Sequence, residues 1–303
     1  MKIGLVNIEP KIINNAYLQI NGYYKSKGDV VEWYSALFHG SYDKIFCSSL
    51  FSFTDKSQVP KEAICGGTGF PELISVKLPR EIEEAQPDYS IYTKFRKSLL
   101  WFSRGCDYGC PFCLVGKKEG KLHTVEPKQL NPKGKEVMVM DNSFFDSPGW
   151  REHLFYLEKG IGQKVQFYGV KAKTFTEEQG EALKQLKIPF VLHCAWDNPK
   201  EQMIPHLQFM AKFVPKRCIR VYYLIGYWST IEEDQMRSDL LLANGFDGFA
   251  MPYDRTDPYQ RARARWENHK AIRKTVPFSE YHQGAWNPKV LVFNSEKSKG
   301  EGT

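Results

Sequence analysis

Apolar positions along the chain gather into short runs separated by charged stretches, and the spacing inside each run predicts its element. "KIGLVNI" (residues 2–8) is nearly continuous in apolar character, as a strand buried on both faces should be. The stretch over residues 15–28 places Tyr17, Ile20 and Tyr24 at helical spacing and ends at Gly28, so it predicts a helix with a glycine stop. "DVVEWY" (29–34), "KIFCSSL" (44–50) and "EAICGG" (62–67) are further strand candidates, the last running into glycines. Strands alternating with helices imply a parallel sheet. Residues 78–93, "LPREIEEAQPDYSIYT", break the pattern with charge and two prolines; they read as a linker and place a domain boundary near residue 90.

Beyond that point the alternation resumes. Strand-like runs occur at "SLLWFS" (98–103), "EVMVMD" (136–141), "KVQFYGV" (164–170), "PFVLHCA" (189–195), "CIRVYYLIG" (218–226) and "GFDGFAM" (245–251). Two of the intervening helices announce their starts. Thr176 with Gln179, and Thr230 with Glu233, are capping-box pairs, and the second helix should stop at Gly245. Six strand-then-helix repeats over residues 91–290 predict an α/β fold of the partial (β/α)6 TIM-like barrel type, whose sites lie at the carboxyl ends of the strands. Residues 291–303 end in a short polar run and are expected to be a disordered tail.

Composition narrows the class. The chain has 303 residues, 42% hydrophobic and 25% charged, enough for a substantial core in one large domain or one large plus one small. No apolar run approaches the roughly 20 residues a membrane span needs, and the first residues turn polar too soon for a signal peptide. A cytoplasmic enzyme or binding protein is expected. Seven cysteines, an odd number spread over a long chain, argue for thiols or metal ligands rather than a disulfide framework. The net charge of +7 permits an anionic partner without demanding one.

The chemistry concentrates in "WFSRGCDYGCPFCLVG" (101–116), which sets Cys106, Cys110 and Cys113 directly after the first strand of the repeat. Three thiolates are one short of a closed site. A structural zinc would need His123 or Cys194 as its fourth ligand, yet closed zinc sites use two closely spaced pairs, and the chain has no second pair. The other reading is a [4Fe–4S] cluster with three irons held by thiolates and the fourth left open.

C-x3-C-x2-C with an aromatic, Phe112, before the last cysteine, after the first strand of a six-fold repeat, resembles the radical S-adenosylmethionine superfamily. The resemblance implies that the open iron binds S-adenosyl-L-methionine, and that a one-electron reductant such as flavodoxin or ferredoxin drives its cleavage to a 5′-deoxyadenosyl radical. It also implies where the cofactor lies. Asp141 and Asn142 end the second strand in place of the family's glycine-rich motif, with Ser143 beside them; Asp197 after the fourth strand would accept from the ribose. Ile225, with Gly226 allowing close approach, and Met251 would flank the adenine. Lys171 and Lys173 stand where that superfamily often has an acidic residue and an arginine, and would meet a carboxylate or an ordinary solvent shell. His193 and Cys194 alternate on one strand, where packing explains both.

Residues 1–90 are similar to the degenerate, cobalamin-binding-like Rossmann-like domain that precedes many radical enzymes. The D-x-H-x-x-G cobalamin loop is absent, and His39 lacks the preceding aspartate. Methylthiotransferases carry a second cluster on three amino-terminal cysteines; Cys47 and Cys65 match two of these places and nothing matches the third, so two small buried thiols are expected. Group transfer to RNA of the methylthiotransferase kind stays as an alternative. So does a zinc-stabilised nucleic-acid-binding protein, resting on the basic run 254–275 with Arg255, Arg261, Arg263, Arg265, Lys270, Arg273 and Lys274. Arginines at every second position spread around a helix rather than forming one face. The substrate, a small molecule or a nucleic acid, is unnamed by the sequence, with Lys117, Lys118 and Lys121 after the cysteines adding a lean toward an anion.

Overall fold

The computed structural model describes residues 1–281; the expected tail, residues 291–303, lies outside them. Among the described residues the chain is α/β with parallel sheets and divides into two compact units, the first built from residues 1–168 and 187–189, the second from 169–186 and 190–281. The boundary expected near residue 90 falls inside the first unit.

In the first unit, β1 (Lys2–Leu5), α1 (Asn15–Ser26), β2 (Val30–Trp33), β3 (Lys44–Ser48) and β4 (Ile64–Gly66) form a four-stranded parallel sheet in the order β2-β1-β3-β4. Ile3, Leu5 and Phe46 pack under Tyr17, Ile20 and Tyr24 of α1, the residues whose spacing predicted that helix. The Tyr17 hydroxyl donates to the Val6 carbonyl and accepts from Ser48 N–H, tying the ends of β1 and β3. Asn14 caps α1 by accepting from Ala16 N–H. The Glu9 carboxylate accepts the Leu50 and Phe51 N–H groups and the Ser49 and Thr54 hydroxyls, which fixes the loop after β3.

Residues 78–93, read as a linker, are packed rather than loose. They carry α2 (Arg80–Glu83), bury Ile82 and Tyr89, and offer backbone carbonyls to α1: Gln19 Nε2 donates to Glu83 and Asn21 Nδ2 to Asp88. Gly22 belongs to the same contact, because a Cβ there would sit 1.9 Å from the Gln86 carbonyl oxygen.

The chain then enters β5 (Lys97–Leu100), the antiparallel pair β6 (Ser103–Arg104) and β7 (His123–Thr124) with α3 (Val115–Glu119) between them, β8 (Glu136–Val139), α4 (Trp150–Phe155) and β9 (Lys164–Val170). Strands β5, β8 and β9 are adjacent and parallel, with Leu100, Val137, Val139, Val165 and Phe167 fully buried. At about 1.5–3 kcal/mol per buried aliphatic or aromatic side chain, these residues dominate the local stability.

The second unit runs α5 (Glu177–Gln185), β10 (Phe190–Ala195), α6 (Met203–Met210), β11 (Ile219–Ile225), α7 (Ile231–Ala243), β12 (Asp247–Pro252), α8 (Pro258–Asn268) and α9 (Lys270–Thr275). Its strands are parallel in the order β12-β11-β10. Both capping boxes are made, Thr176 with Gln179 and Thr230 with Glu233. Helix α7 ends in a Schellman turn: Gly245 at φ +72 donates to the Leu242 carbonyl and Phe246 donates to Leu241. Among the described residues no helix is long and apolar enough to cross a membrane.

Candidate functional site

The three clustered cysteines lie on one closed excursion. β6 leaves the end of β5 and β7 returns beside it, Ser103 opposite Thr124 and Arg104 opposite His123, so residues 105–122 form a loop with its base zipped. Gly105 makes the closure possible. It sits at φ +77, and a Cβ there would lie 2.1 Å from the Lys121 carbonyl oxygen. Cys106 N–H donates to the Gly120 carbonyl at 3.1 Å, and Cys113 N–H donates to Cys110 at 3.0 Å, closing a turn that holds Phe112 half-buried. Cys110 is exposed, whereas Cys106 and Cys113 are half-buried.

Glu119, at the end of α3, is the loop's anchor and was not singled out by the sequence. Its carboxylate pairs with Arg104 at 2.7 Å and accepts from Gly105 N–H at 3.0 Å and from Asn142 Nδ2 at 2.9 Å. Asn142 also reaches the Gly105 carbonyl at 3.3 Å. One residue earlier, Asp141 is 1% exposed, and its two oxygens accept from Phe102 N–H at 2.9 Å and the Ser103 hydroxyl at 2.5 Å. Burial pushes its carboxyl above the ordinary value, and the bonds from Ser103 and Phe102 partly offset this. The structure thus brings Asp141 and Asn142 to the root of the cysteine loop. Ser143 is buried and donates to Asp146.

Whether this loop suits an iron–sulfur cluster can be tested on its donors. Three thiols stand within eight residues of one cinched loop, which is the donor chemistry such a cluster takes. Among the described residues no three His, Cys, Asp or Glu side chains are gathered tightly enough to hold a metal ion.

In the second unit, Asp197 follows β10 and is half-buried, with its carboxyl raised by desolvation and opposed by a Leu224 backbone hydrogen bond and the Arg237 charge. Arg237 is the organiser here, also missed from sequence. It is fully buried, pairs with Asp234 at 2.6 Å, and donates to the carbonyls of Trp196, Asp197 and Leu224, so one guanidinium joins the ends of β10 and β11. Its signal was slight: an Asp and an Arg three apart on a helix, Asp234 and Arg237.

Ile225 is fully buried, and Gly226 at φ +81 is approached by a protein group: a Cβ there would lie 2.1 Å from the side chain of Gln260, whose Oε1 accepts from Asp254 N–H. Met251 on β12 is 45% exposed. His193 is buried with its ring against Tyr222, and Cys194 is buried with its thiol pushed up to about 12. Lys173 pairs with Glu201 at 3.0 Å.

The basic run 254–275 is divided: Arg263 is buried and Arg273 half-buried, whereas Arg255, Arg261, Arg265, Lys270 and Lys274 are exposed. Arg263 is fully buried, donating to Gln235 and the Asp234 carbonyl; Arg273 pairs with Glu267 at 2.8 Å and Lys270 with Asp247 at 2.6 Å.

No protein-family model and no curated protein matches the chain. Solved structures of SuiB from Streptococcus suis are similar in part. The complex with the precursor peptide SuiA aligns at 14% identity and TM-score 0.43 over 61% of this chain and 47% of that one. SuiB alone aligns at 12% identity and TM-score 0.43 over 59% and 47%. SuiB bound to S-adenosylmethionine aligns at 14% identity and TM-score 0.41 over 61% and 45%. The match spans just under half the length of those structures.

Proposed function

We propose that the chain is a radical S-adenosylmethionine enzyme, with a degenerate Rossmann-like region over residues 1–90 and a partial (β/α)6 barrel beyond. The observation that carries the reading is the C-x3-C-x2-C motif on a loop zipped at its base directly after β5, the first of three adjacent parallel strands. Cys106, Cys110 and Cys113 would hold the [4Fe–4S] cluster, with Phe112 beside them. When bound, the cluster and S-adenosyl-L-methionine supply one-electron cleavage of a sulfonium, giving a 5′-deoxyadenosyl radical that takes a hydrogen atom from substrate.

The chain's own residues orient and shield. Glu119, Arg104 and Asn142 hold the loop base, while Asp141 acts as a positioning residue because its carboxylate is engaged with Phe102 and Ser103. Asp197, set by Arg237, offers an acceptor for a ribose hydroxyl. Met251 would lie against the adenine, and Ile225 would back that site from the core. The reductant would be a small electron carrier such as flavodoxin or ferredoxin.

The test is anaerobic reconstitution with iron and sulfide, followed by reduction and addition of S-adenosylmethionine. About four irons per chain and release of 5′-deoxyadenosine are expected, and Cys110→Ala should abolish both. Zinc in place of iron, or no cleavage with the cluster reduced, would overturn the reading.

A further inference from the structure

The first unit contains a cavity of about 1110 Å³ that none of the residues assigned above explains. Its floor is apolar. Phe46 and Ile64 are register partners on β3 and β4, and Ile64, 52% exposed, presents its side chain without burying it. Gly66, the next residue on that face of the edge strand, leaves open space where a Cβ would stand. The cysteine loop lines the cavity too, through Leu114 and Val115, which directly follow Cys113.

One charge in the lining has no direct partner. Lys118 is half-buried, yet its ammonium has no hydrogen bond or ion pair among the described residues. Its neighbour Glu119 is already committed to Arg104, Gly105 and Asn142. Burial pushes the Lys118 ammonium below its ordinary value. Lys128, also in the lining, donates to the neutral carbonyls of Glu83 and Ala85. Of the acidic groups on the rim, Glu84 is paired with Arg80, and Glu81, Glu83 and Glu126 complete the set. The Glu119 carboxylate opposes the downward shift of Lys118 and the Arg104 charge adds to it, so the Lys118 ammonium, partly desolvated and without an ion pair of its own, would gain from an anionic ligand.

We propose that this cavity binds a small molecule with an apolar body and an anionic head, a carboxylate or a phosphate, the head on Lys118 and the body over Phe46 and Ile64. The cavity size suits such a ligand, and charge complementarity sets its orientation. That this ligand is the molecule losing a hydrogen atom rests on the radical reading and on Leu114 adjoining Cys113. Binding itself does not rest on it.

The experiment uses the full chain, reduced and without iron or S-adenosylmethionine, titrated with 1-anilinonaphthalene-8-sulfonate, whose apolar rings and sulfonate match the proposed chemistry. Lys118→Gln should weaken binding about tenfold, as loss of a charge-assisted contact does, and Ile64→Asp should weaken it comparably. Lys117→Gln, an exposed neighbour outside the cavity, should bind as wild type. Decanoate and decyl phosphate should compete, their relative strength identifying the head group, and decanol should not. Wild-type affinity in both Lys118→Gln and Ile64→Asp, or competition by decanol equal to that by decanoate, would overturn the proposal, and circular dichroism on each variant separates loss of binding from loss of fold. Because the titration needs no cluster, its failure is distinguishable from failure of the radical reading.

Discussion

Asn142 Nδ2 donates to Glu119 Oε2 at 2.9 Å, joining the residue just beyond β8 to the last residue of the helix in the cysteine loop. The same carboxylate holds Arg104 and the Gly105 N–H, so a single side chain closes the loop from three directions. Glu119→Ala would strand all three donors. The loop is an excursion from the sheet, so the global unfolding midpoint should move little, while local opening increases. Limited proteolysis between residues 105 and 122 should accelerate, and iron retained after reconstitution should fall. Asn142→Ala, which removes one of the three, should show the same changes more weakly. Wild-type proteolysis in Glu119→Ala would refute the anchoring role.

Asp141 gives a pH prediction. A carboxyl raised by burial holds its proton more tightly folded than unfolded. Its contribution is therefore fully present below the unfolded value of about 3.9 and is lost as pH rises through the raised folded value. Asp141→Asn keeps an acceptor for Phe102 N–H without the charge. Its stability relative to wild type should grow across that window and level off above it. Asp141→Ala leaves Phe102 N–H unpaired and should cost about 1–3 kcal/mol. Urea midpoints measured between about pH 4 and pH 7 decide it: parallel curves for wild type and Asp141→Asn would contradict the burial argument.

Arg237 predicts strong non-additivity. Arg237→Met strands Asp234 in a buried setting and removes the donors to three carbonyls, for an expected loss of about 3–5 kcal/mol. Asp234 also accepts from the Tyr259 hydroxyl, so Asp234→Leu has its own cost. The double variant should be less destabilised than the sum of the singles, since neither charge is left behind. Additive losses in denaturant titrations would show that the pair is not coupled.

Gly226 and Gln260 form a second coupled pair. Gly226→Ala meets both a left-handed backbone angle and the Gln260 side chain, and should lose more than the ~1 kcal/mol a positive φ alone exacts. Adding Gln260→Ala removes the overlap but not the angle, so it should recover part of the loss. No recovery would mean that the backbone angle carries the whole effect.

These cases show what the amino-acid order could disclose. Local signals were readable because their physics is local. The capping pairs at Thr176 and Thr230 act over three residues, and Gly245 stops its own helix. Apolar runs became buried parallel strands for the same reason. Long-range polar partnerships were not readable. Glu119 meets Asn142 across 23 residues and Arg237 meets Trp196 across 41, and the Arg237 partners are carbonyls, which carry no side-chain signature. Residues 78–93 looked like a linker because charge and proline mimic one, while their backbone carbonyls were the acceptors for Gln19 and Asn21. Within the basic run one position was unreadable in the same way: Arg263 is part of the core, where a guanidinium can satisfy several acceptors at once.

Thiol reactivity offers a test that separates the loop cysteines from the others. Only the thiolate attacks an alkylating agent, so reactivity follows exposure and pKa together. Cys47 is 1% exposed with its thiol pushed up to about 12 by burial beside Cys65, and Cys194 is equally enclosed with the same upward shift. Both should resist iodoacetamide in the native chain and react only on unfolding. Cys110, exposed on the loop, should react first. Reconstitution with iron and sulfide should then protect Cys106, Cys110 and Cys113 as a set, because one cluster takes all three thiolates, while Cys218 and Cys65, outside the loop, keep their original rates. Peptide mass spectrometry over a labelling time course reads each cysteine separately. Protection of only one or two loop cysteines, or protection of Cys65 together with them, would be incompatible with a cluster held by this loop alone.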